Sequence, residues 1–330
     1  MVTRREWLGL TLGAGAALTI DPRLLRALQQ PLLKRAIPSS GEEVPLVGLG
    51  SSDRFSQVAR SEDYSALREV LSALVEQGGS VFDTAPSYGA SEEVAGTIAA
   101  ELGITDRIFW ATKLNVARGR GAEAQADPAA AREQIETSFS RLRTDVIDVI
   151  QVHNLADIPT QLPILEELKQ QGRVRYIGVT TTSENSYDRL LEVMRNEPLD
   201  FIGIDYAIDD RSAEAEVLPL AIERKIGVLV YLPFGRRRLW QRVGERPLPE
   251  MAAEIGAETW AQFFIKFVAA HPAITSVTPS TSQARHMIDN LGAARGSLPD
   301  EAARQRMIEI VDALPPAPSG RGRGGGPAVR

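Results

Sequence analysis

The chain has 330 residues, 43% of them hydrophobic and 24% charged, with 0 cysteines and a formal net charge of −6. This composition excludes a disordered chain, which would be poorer in apolar residues, and a disulfide-stapled module, which needs cysteines. The acidic balance excludes a chain-wide basic footprint for nucleic acid. The length accommodates two ordinary domains or one large α/β barrel of about 250 residues.

In chain order, Arg4 and Arg5 precede Trp7 and a weakly apolar run that ends at Ile20. The run is too short for a stable transmembrane span, which needs about 20 apolar residues. The adjacent arginines and the run resemble a twin-arginine export signal, with residues 1–40 as signal and lead-in. That resemblance implies passage through the twin-arginine machinery to the periplasm or beyond, with an uncleaved membrane anchor as a variant. An amphipathic helix on the domain is the plain alternative. The lack of cysteine is compatible with an oxidising destination.

From Val44 onward, short β-branched runs alternate with helical periods. The strand candidates are Val47–Gly50, Val81–Phe82, Arg107–Thr112, Val146–Val152, Val174–Val179, Asp200–Tyr206, Gly227–Tyr231 and Ile274–Val277. Between them, apolar spacing predicts helices at Ala66–Glu76, after Ser91 as N-cap, from the Asp127–Pro128 cap to Leu142, and at Leu162–Gln171 before Gly172. Further helices are predicted near Tyr187–Arg195, Ala213–Arg224, Trp260–Ala269, Ala284–Leu291 and Glu301–Leu314. His271 reads as a loop or helix-end residue. Apolar strands joined by helices give a parallel sheet. Eight such units over residues 41–314 fit a single-domain (β/α)8 TIM barrel. A doubly wound open sheet would place a third glycine and a helix start after the first strand, and neither follows Gly48 and Gly50. Residues 315–330 are dominated by Gly and Pro and read as a solvated, disordered tail. One short Arg-Gly copy is a weak RNA-binding feature.

A barrel builds its active site at the C-terminal ends of its strands. There stand Asp83 with Tyr88 in the following loop, then Lys113, His153, Thr180–Thr182, Tyr206, the Pro233–Arg238 loop and Pro279–Ser282. Singly, each has a structural reading: a turn former, a solvated lysine, a satisfied histidine. Together they have a chemical logic. A phenol of pKa about 10 becomes a better acid beside an ammonium, a carboxylate keeps that ammonium charged, and an imidazole polarises a carbonyl oxygen.

The segment from Phe82 to Gly96, with Asp83, Thr84, Ala85, Tyr88, Gly89, Ser91 and Glu92, resembles the aldo-keto reductase signature. Ala111–Lys113 resembles the catalytic-lysine strand, Ile150–His153 the histidine strand, Gly172–Val179 the fifth strand and Asn290–Ala293 the last cofactor-side helix. The resemblance implies reversible NADPH-dependent reduction of a small-molecule aldehyde or ketone, with NAD as a second option and no metal. It assigns Tyr88 as general acid, Lys113 as the group that lowers its pKa, Asp83 as the partner of Lys113, and His153 as the orienter of the substrate oxygen. It places Ser51, Thr180, Thr181, Tyr206, Phe234, Gly235, Arg236, Ser280, Thr281, Arg285, His286, Asp289 and Asn290 against the cofactor, Tyr206 stacking on the nicotinamide.

The chain departs from the family pattern at both carboxamide contacts. Thr181 stands where the family has Asn, and Gly203 where it has Gln. On the phosphate side, Ser280 and Thr281 follow Pro279 where Lys-Ser is common, and His286 with Arg285 takes the usual Arg position. Two other classes are compatible with parts of the sequence. One is a non-catalytic nucleotide-sensing barrel, the other a Schiff-base enzyme using Lys113. The Asp83, Tyr88 and His153 set argues against the latter.

Overall fold

A computed structural model of the protein describes residues 30–119 and 124–317. The Arg4–Arg5 pair with its apolar run, and residues 318–330 of the tail, lie outside the described residues. Among the described residues no helix is long and apolar enough to cross a membrane.

Eight parallel strands form one sheet in strict sequence order. They are β3 (Leu49–Gly50), β4 (Val81–Asp83), β5 (Phe109–Leu114), β6 (Ile147–Val152), β7 (Val174–Thr181), β8 (Phe201–Asp205), β9 (Gly227–Tyr231) and β10 (Ile274–Val277). The first and last strands meet, with the Gly48 amide donating to the Val277 carbonyl at 2.8 Å and the Gly50 amide to the Pro279 carbonyl at 3.1 Å. The sheet therefore closes into the expected (β/α)8 barrel, and all eight strand candidates are realised. The helices outside the sheet are α1 (Arg54–Ala59), α2 (Ser65–Glu76), α3 (Ser91–Leu102), α4 (Pro128–Leu142), α5 (Ile158–Gln170), α6 (Tyr187–Asn196), α7 (Val217–Glu223), α8 (Arg238–Val243), α9 (Trp260–Ala270), α10 (Ala284–Gly292) and α11 (Glu301–Asp312).

The period of two along each strand sorts residues between two cores. Val81, Phe109, Ala111, Val149, Tyr176, Phe201 and Leu229 fill the barrel interior. Phe82, Trp110, Ile150, Val152, Ile177, Val179, Ile202 and Ile204 pack outward against the helices. Ile37 and Val44 join the inner group. They belong to an antiparallel hairpin of β1 (Lys34–Ala36) and β2 (Glu43–Pro45) that carries no periodic mark in the sequence and adds its apolar residues to the barrel interior.

Several local expectations are realised. The Asp127 carboxylate caps α4 by accepting from the Ala129 amide at 2.9 Å, with Pro128 at the first helical position. His271 ends α9. Two are corrected. A helix does follow the first strand, since Asp53 takes a left-handed φ of 52° and turns the chain into α1. Ser91 is not an N-cap. Ala90 holds that position, and the Ser91 hydroxyl instead donates to the Tyr88 carbonyl at 2.9 Å, bracing the loop that carries Tyr88.

Gly96 of the signature is a packing residue. A Cβ there would stand 2.7 Å from Leu142 Cα and closer still to the Arg141 carbonyl, so only glycine lets α3 meet the end of α4. In the same helix the buried Glu92 carboxylate accepts from Thr112 Oγ1 at 2.7 Å and Ser138 Oγ at 2.9 Å, pinning α3 to β5 and α4. Gly96→Ala is expected to cost about 2–3 kcal/mol through overpacking, read as a lowered urea midpoint at unchanged slope.

Candidate active site

The parity that buries Val81, Phe109, Ala111 and Val149 continues upward to Asp83, Lys113, Gln151 and His153. The mouth therefore inherits its side chains from the alternation of the strands. Lys113 Nζ donates to Asp83 Oδ1 at 2.9 Å, to Oδ2 at 2.8 Å and to the Thr84 carbonyl at 2.7 Å. Both charged residues are about 97% removed from solvent, at 2% and 3% exposure. The ammonium also lies over two rings, 5.2 Å from the Tyr88 centroid and 5.0 Å from that of Tyr231. Tyr88 meets His153 edge-on, with centroids 6.3 Å apart. The structure thus brings Asp83, Tyr88, Lys113 and His153 together at one mouth.

Burial works against the Lys113 ammonium, but the Asp83 carboxylate and the Tyr88 phenol outweigh it and raise its pKa. Lys113 is therefore a fixed cation. The expectation that it lowers Tyr88 is corrected in its sum. Burial pushes the phenol up, Lys113 pulls it down, Asp83 adds to the rise, and the net direction is upward. Tyr88 consequently holds its proton at neutral pH. His153 is lowered to about 3, first by burial and then by the neighbouring Lys113, so it is a neutral imidazole. Its Nδ1 is buried without a protein partner among the described residues.

The expected cofactor residues divide. Tyr206 is corrected. It has the outward parity of Ile202 and Ile204, is fully buried, and packs on Phe267 and His271. Its hydroxyl donates to Glu214 and accepts from Arg304 at 2.8 Å. No face is left for a nicotinamide. Thr181 Oγ1 accepts from the Ser183 amide at 3.2 Å and caps its own turn. Thr180 Oγ1 accepts from the Asn154 amide at 3.1 Å, and its own proton stays available. Asp289 is engaged with Thr259 Oγ1 and Gln262 Nε2, linking α10 to α9. Asn290 is buried beside it.

In the loop after β9, Gly235 has a φ of 56°, and a Cβ there would stand 2.5 Å from Asp209 Oδ1. Phe234 packs on Trp240 at 5.0 Å. The arginines of this loop are all paired: Arg236 with Asp205 at 3.6 Å, Arg237 with Asp53 at 2.9 Å and Arg238 with Asp209 at 3.2 Å. After β10, Ser280 donates to the Ser52 carbonyl, and Thr281 Oγ1 accepts from the Gln283 amide at 3.1 Å. Arg285 and His286 are exposed at the start of α10.

One residue of the mouth carries no mark in the sequence signature. Tyr231, at the end of β9, places its hydroxyl 3.1 Å from Asp83 Oδ1 and 2.8 Å from Gln151 Oε1. Burial first, then Asp83, pushes its phenol well above the ordinary value, so it remains a donor. The strand register places Tyr231 beside Asp205, the inward neighbour of the Tyr206 that looked suitable. Counting parity from Phe201 finds it.

Ser51, Thr84 and His153, each directly after a barrel strand or its last residue, bear buried side-chain atoms with no protein partner among the described residues. Such atoms cost free energy unless something polar meets them, and they mark the mouth as a place built for a ligand. Removing one charge of the buried pair exposes the same cost. Lys113→Met alone is expected to destabilise by about 3–5 kcal/mol. Lys113→Met with Asp83→Asn is expected to cost clearly less than the two single changes added, by urea denaturation in a double-mutant cycle.

The chain matches the model of the aldo/keto reductase family over residues 46–308. Over 202 residues it is 33% identical to aldo-keto reductase YhdN of Bacillus subtilis (strain 168), across 59% of this chain and 60% of that relative, so the match spans under two thirds of the relative's length. Among solved structures it resembles the holo form of aldo-keto reductase AKR11C1 from Bacillus halodurans, with a TM-score of 0.68, 25% identity, and 85% of this chain and 96% of that one covered. An aldo/keto reductase from Klebsiella pneumoniae in complex with NADP and acetate shares the fold, with a TM-score of 0.65 at 21% identity over 88% and 98% of the two chains. With the family model covering most of the chain and the barrel in agreement, the protein belongs to the aldo/keto reductase family.

Proposed function

We propose that the protein is an oxidoreductase that reduces a small-molecule aldehyde or ketone to an alcohol, with NADPH as hydride donor and NADH as a second option. The observation that carries this reading is the protonated Tyr88 held between a neutral His153 and the cationic Lys113. The unpartnered Ser51, Thr84 and His153 atoms fit a polar ligand at this mouth. The Klebsiella neighbour, alike in fold, is in complex with NADP.

When bound, the nicotinamide supplies the hydride. The protein supplies the rest. The neutral His153 imidazole donates to the carbonyl oxygen and polarises it. Tyr88 gives its proton to that oxygen as negative charge develops there. The phenolate left behind faces Lys113, whose charge Asp83 maintains, and solvent returns the proton. Thr180 and Ser51 would hold the nicotinamide side, and Arg285, His286, Thr281 and Arg236 the phosphates. A Schiff base on Lys113 is disfavoured, because the amine is raised in pKa and its three donors are aimed at partners.

Tyr88→Phe should lower kcat for carbonyl reduction by about 10²–10⁴-fold while nucleotide affinity, read by fluorescence quenching, stays within a factor of two or so of wild type. Retained turnover would overturn the proton-donor role. Because His153 is neutral and Tyr88 protonated throughout, kcat/KM for reduction should be level between about pH 5 and 8. An acid limb near the ordinary histidine value of about 6.5 would show that His153 titrates.

We also propose that the chain works outside the cytoplasm. The support is the Arg4–Arg5 pair before its short apolar run. Arg4→Lys with Arg5→Lys should leave the full chain in the cytoplasmic fraction, while wild type moves to the exported one.

A further inference from the structure

The ring of a functional histidine is ordinarily aimed by a hydrogen bond at its second nitrogen. His153 lacks one: its Nδ1 is buried without a protein partner among the described residues, and Tyr88 meets the ring edge-on. The aim of the imidazole is therefore left to the backbone that carries it, and that backbone is strained. Directly after His153, Asn154 has a φ of 57°, Leu155 of 54° and Asp157 of 42°. A left-handed φ crowds Cβ against the following carbonyl oxygen. Asn and Asp tolerate it, but for a bulky leucine it is an outlier. Residues held in this way persist only where the surroundings over-determine them.

Three side chains supply that hold. Thr180 Oγ1 accepts from the Asn154 amide at 3.1 Å. The register pairs Val152 of β6 with Val179 of β7, so the next residues, His153 and Thr180, continue side by side. At the far end of the turn, Asp157 Oδ2 accepts from the Ala126 amide at 2.7 Å, tying the turn to the segment before α4. Between them, Gln161 of α5 donates from Nε2 to the Ala156 carbonyl. Leu155 itself is buried at 2% exposure. Loss of a pin lets the turn relax toward ordinary φ values, and the His153 backbone moves with it.

Resting on the reductase reading of this mouth, we infer that Thr180 and Asp157 are positioning residues for His153: they pin the strained turn after β6 and so aim an imidazole that no hydrogen bond at Nδ1 fixes. Thr180 has a second task expected of it on the nicotinamide side, and Asp157 has none, so the two pins can be tested apart from nucleotide binding.

The test uses the full chain without nucleotide, labelled with ¹³Cε1-histidine. The chain has 3 histidines, and the His153 resonance is assigned by its loss in His153→Gln. Thr180→Val removes the oxygen and keeps the shape of the side chain. It should move the His153 resonance and leave those of His271 and His286 unmoved, which also reports a folded barrel. Thr180→Ser, which keeps the oxygen, should restore the wild-type position. Asp157→Gly removes the second pin and still permits a left-handed φ. It should move the same resonance and lower kcat about tenfold, as for loss of one hydrogen bond to a charged group, with nucleotide affinity unchanged. Asp157→Asn, which keeps an acceptor and tolerates that φ, should restore most of kcat. An unmoved His153 resonance in Thr180→Val or in Asp157→Gly would overturn the role of that residue. Equal movement in Thr180→Ser and Thr180→Val would also overturn the role of the Thr180 oxygen. A wild type that reduces no carbonyl with either nucleotide, yet whose His153 resonance responds to both variants, would sink the reductase reading and leave the positioning intact.

Discussion

The buried Lys113–Asp83 pair is the constraint on which the mouth depends. Two ions removed from water cost several kcal/mol each unless short contacts and further hydrogen bonds repay the loss. Here the repayment comes from three strands and one loop: both carboxylate oxygens on one ammonium, the Thr84 carbonyl, and the Tyr231 hydroxyl. Because the pair must face inward, it fixes the register of β4 and β5. A slip of one residue would drive Lys113 into the helix layer where Leu114 packs and turn Phe82 into the barrel. Fold specificity and chemistry therefore rest on the same two side chains.

The electrostatics of this pair also give the site a direction. A cation beside a phenol is ordinarily read as a device for ionising it. In this mouth desolvation is the larger effect, so the net result is a tyrosine that keeps its proton while a cation waits to receive the charge it leaves. Such an acid suits reduction, where the proton is given away, better than oxidation, where the phenolate must exist beforehand. The neutral His153 fits the same sense. An imidazolium beside Lys113 would be a second buried cation, and the site avoids it by burial.

Much of the fold is legible in the sequence because parallel strands are short apolar runs bounded by helices of different period, and eight of them close only one way. Asp83, Lys113 and His153 are legible because each stands at the end of such a run, and Tyr88 because it follows Asp83 in the next loop. What fails to show is whatever depends on parity or on distant partners. Tyr206 ends its strand as visibly as Tyr231 ends β9, but one step of alternation sends it outward to Glu214 and Arg304. The β1–β2 hairpin is too short to have a period. Thr181 looks like a ligand residue until its turn claims the hydroxyl.

The arginines after β9 show the same dependence on partners. Read along the chain, they are a run of three positive charges. In the folded protein Arg236, Arg237 and Arg238 face Asp205, Asp53 and Asp209, so the run contributes little net field at the mouth. The guanidinium sides of these pairs are roughly half exposed, and exposed ion pairs are worth only about 0–1 kcal/mol. A phosphate offered to Arg236 or Arg237 would therefore exchange one weak carboxylate partner for a better bidentate one at small cost. Arg285, hydrogen-bonded to neutral Gln283, has no carboxylate partner among the described residues. That difference separates Arg285 from the β9 loop, whose three arginines each face a carboxylate.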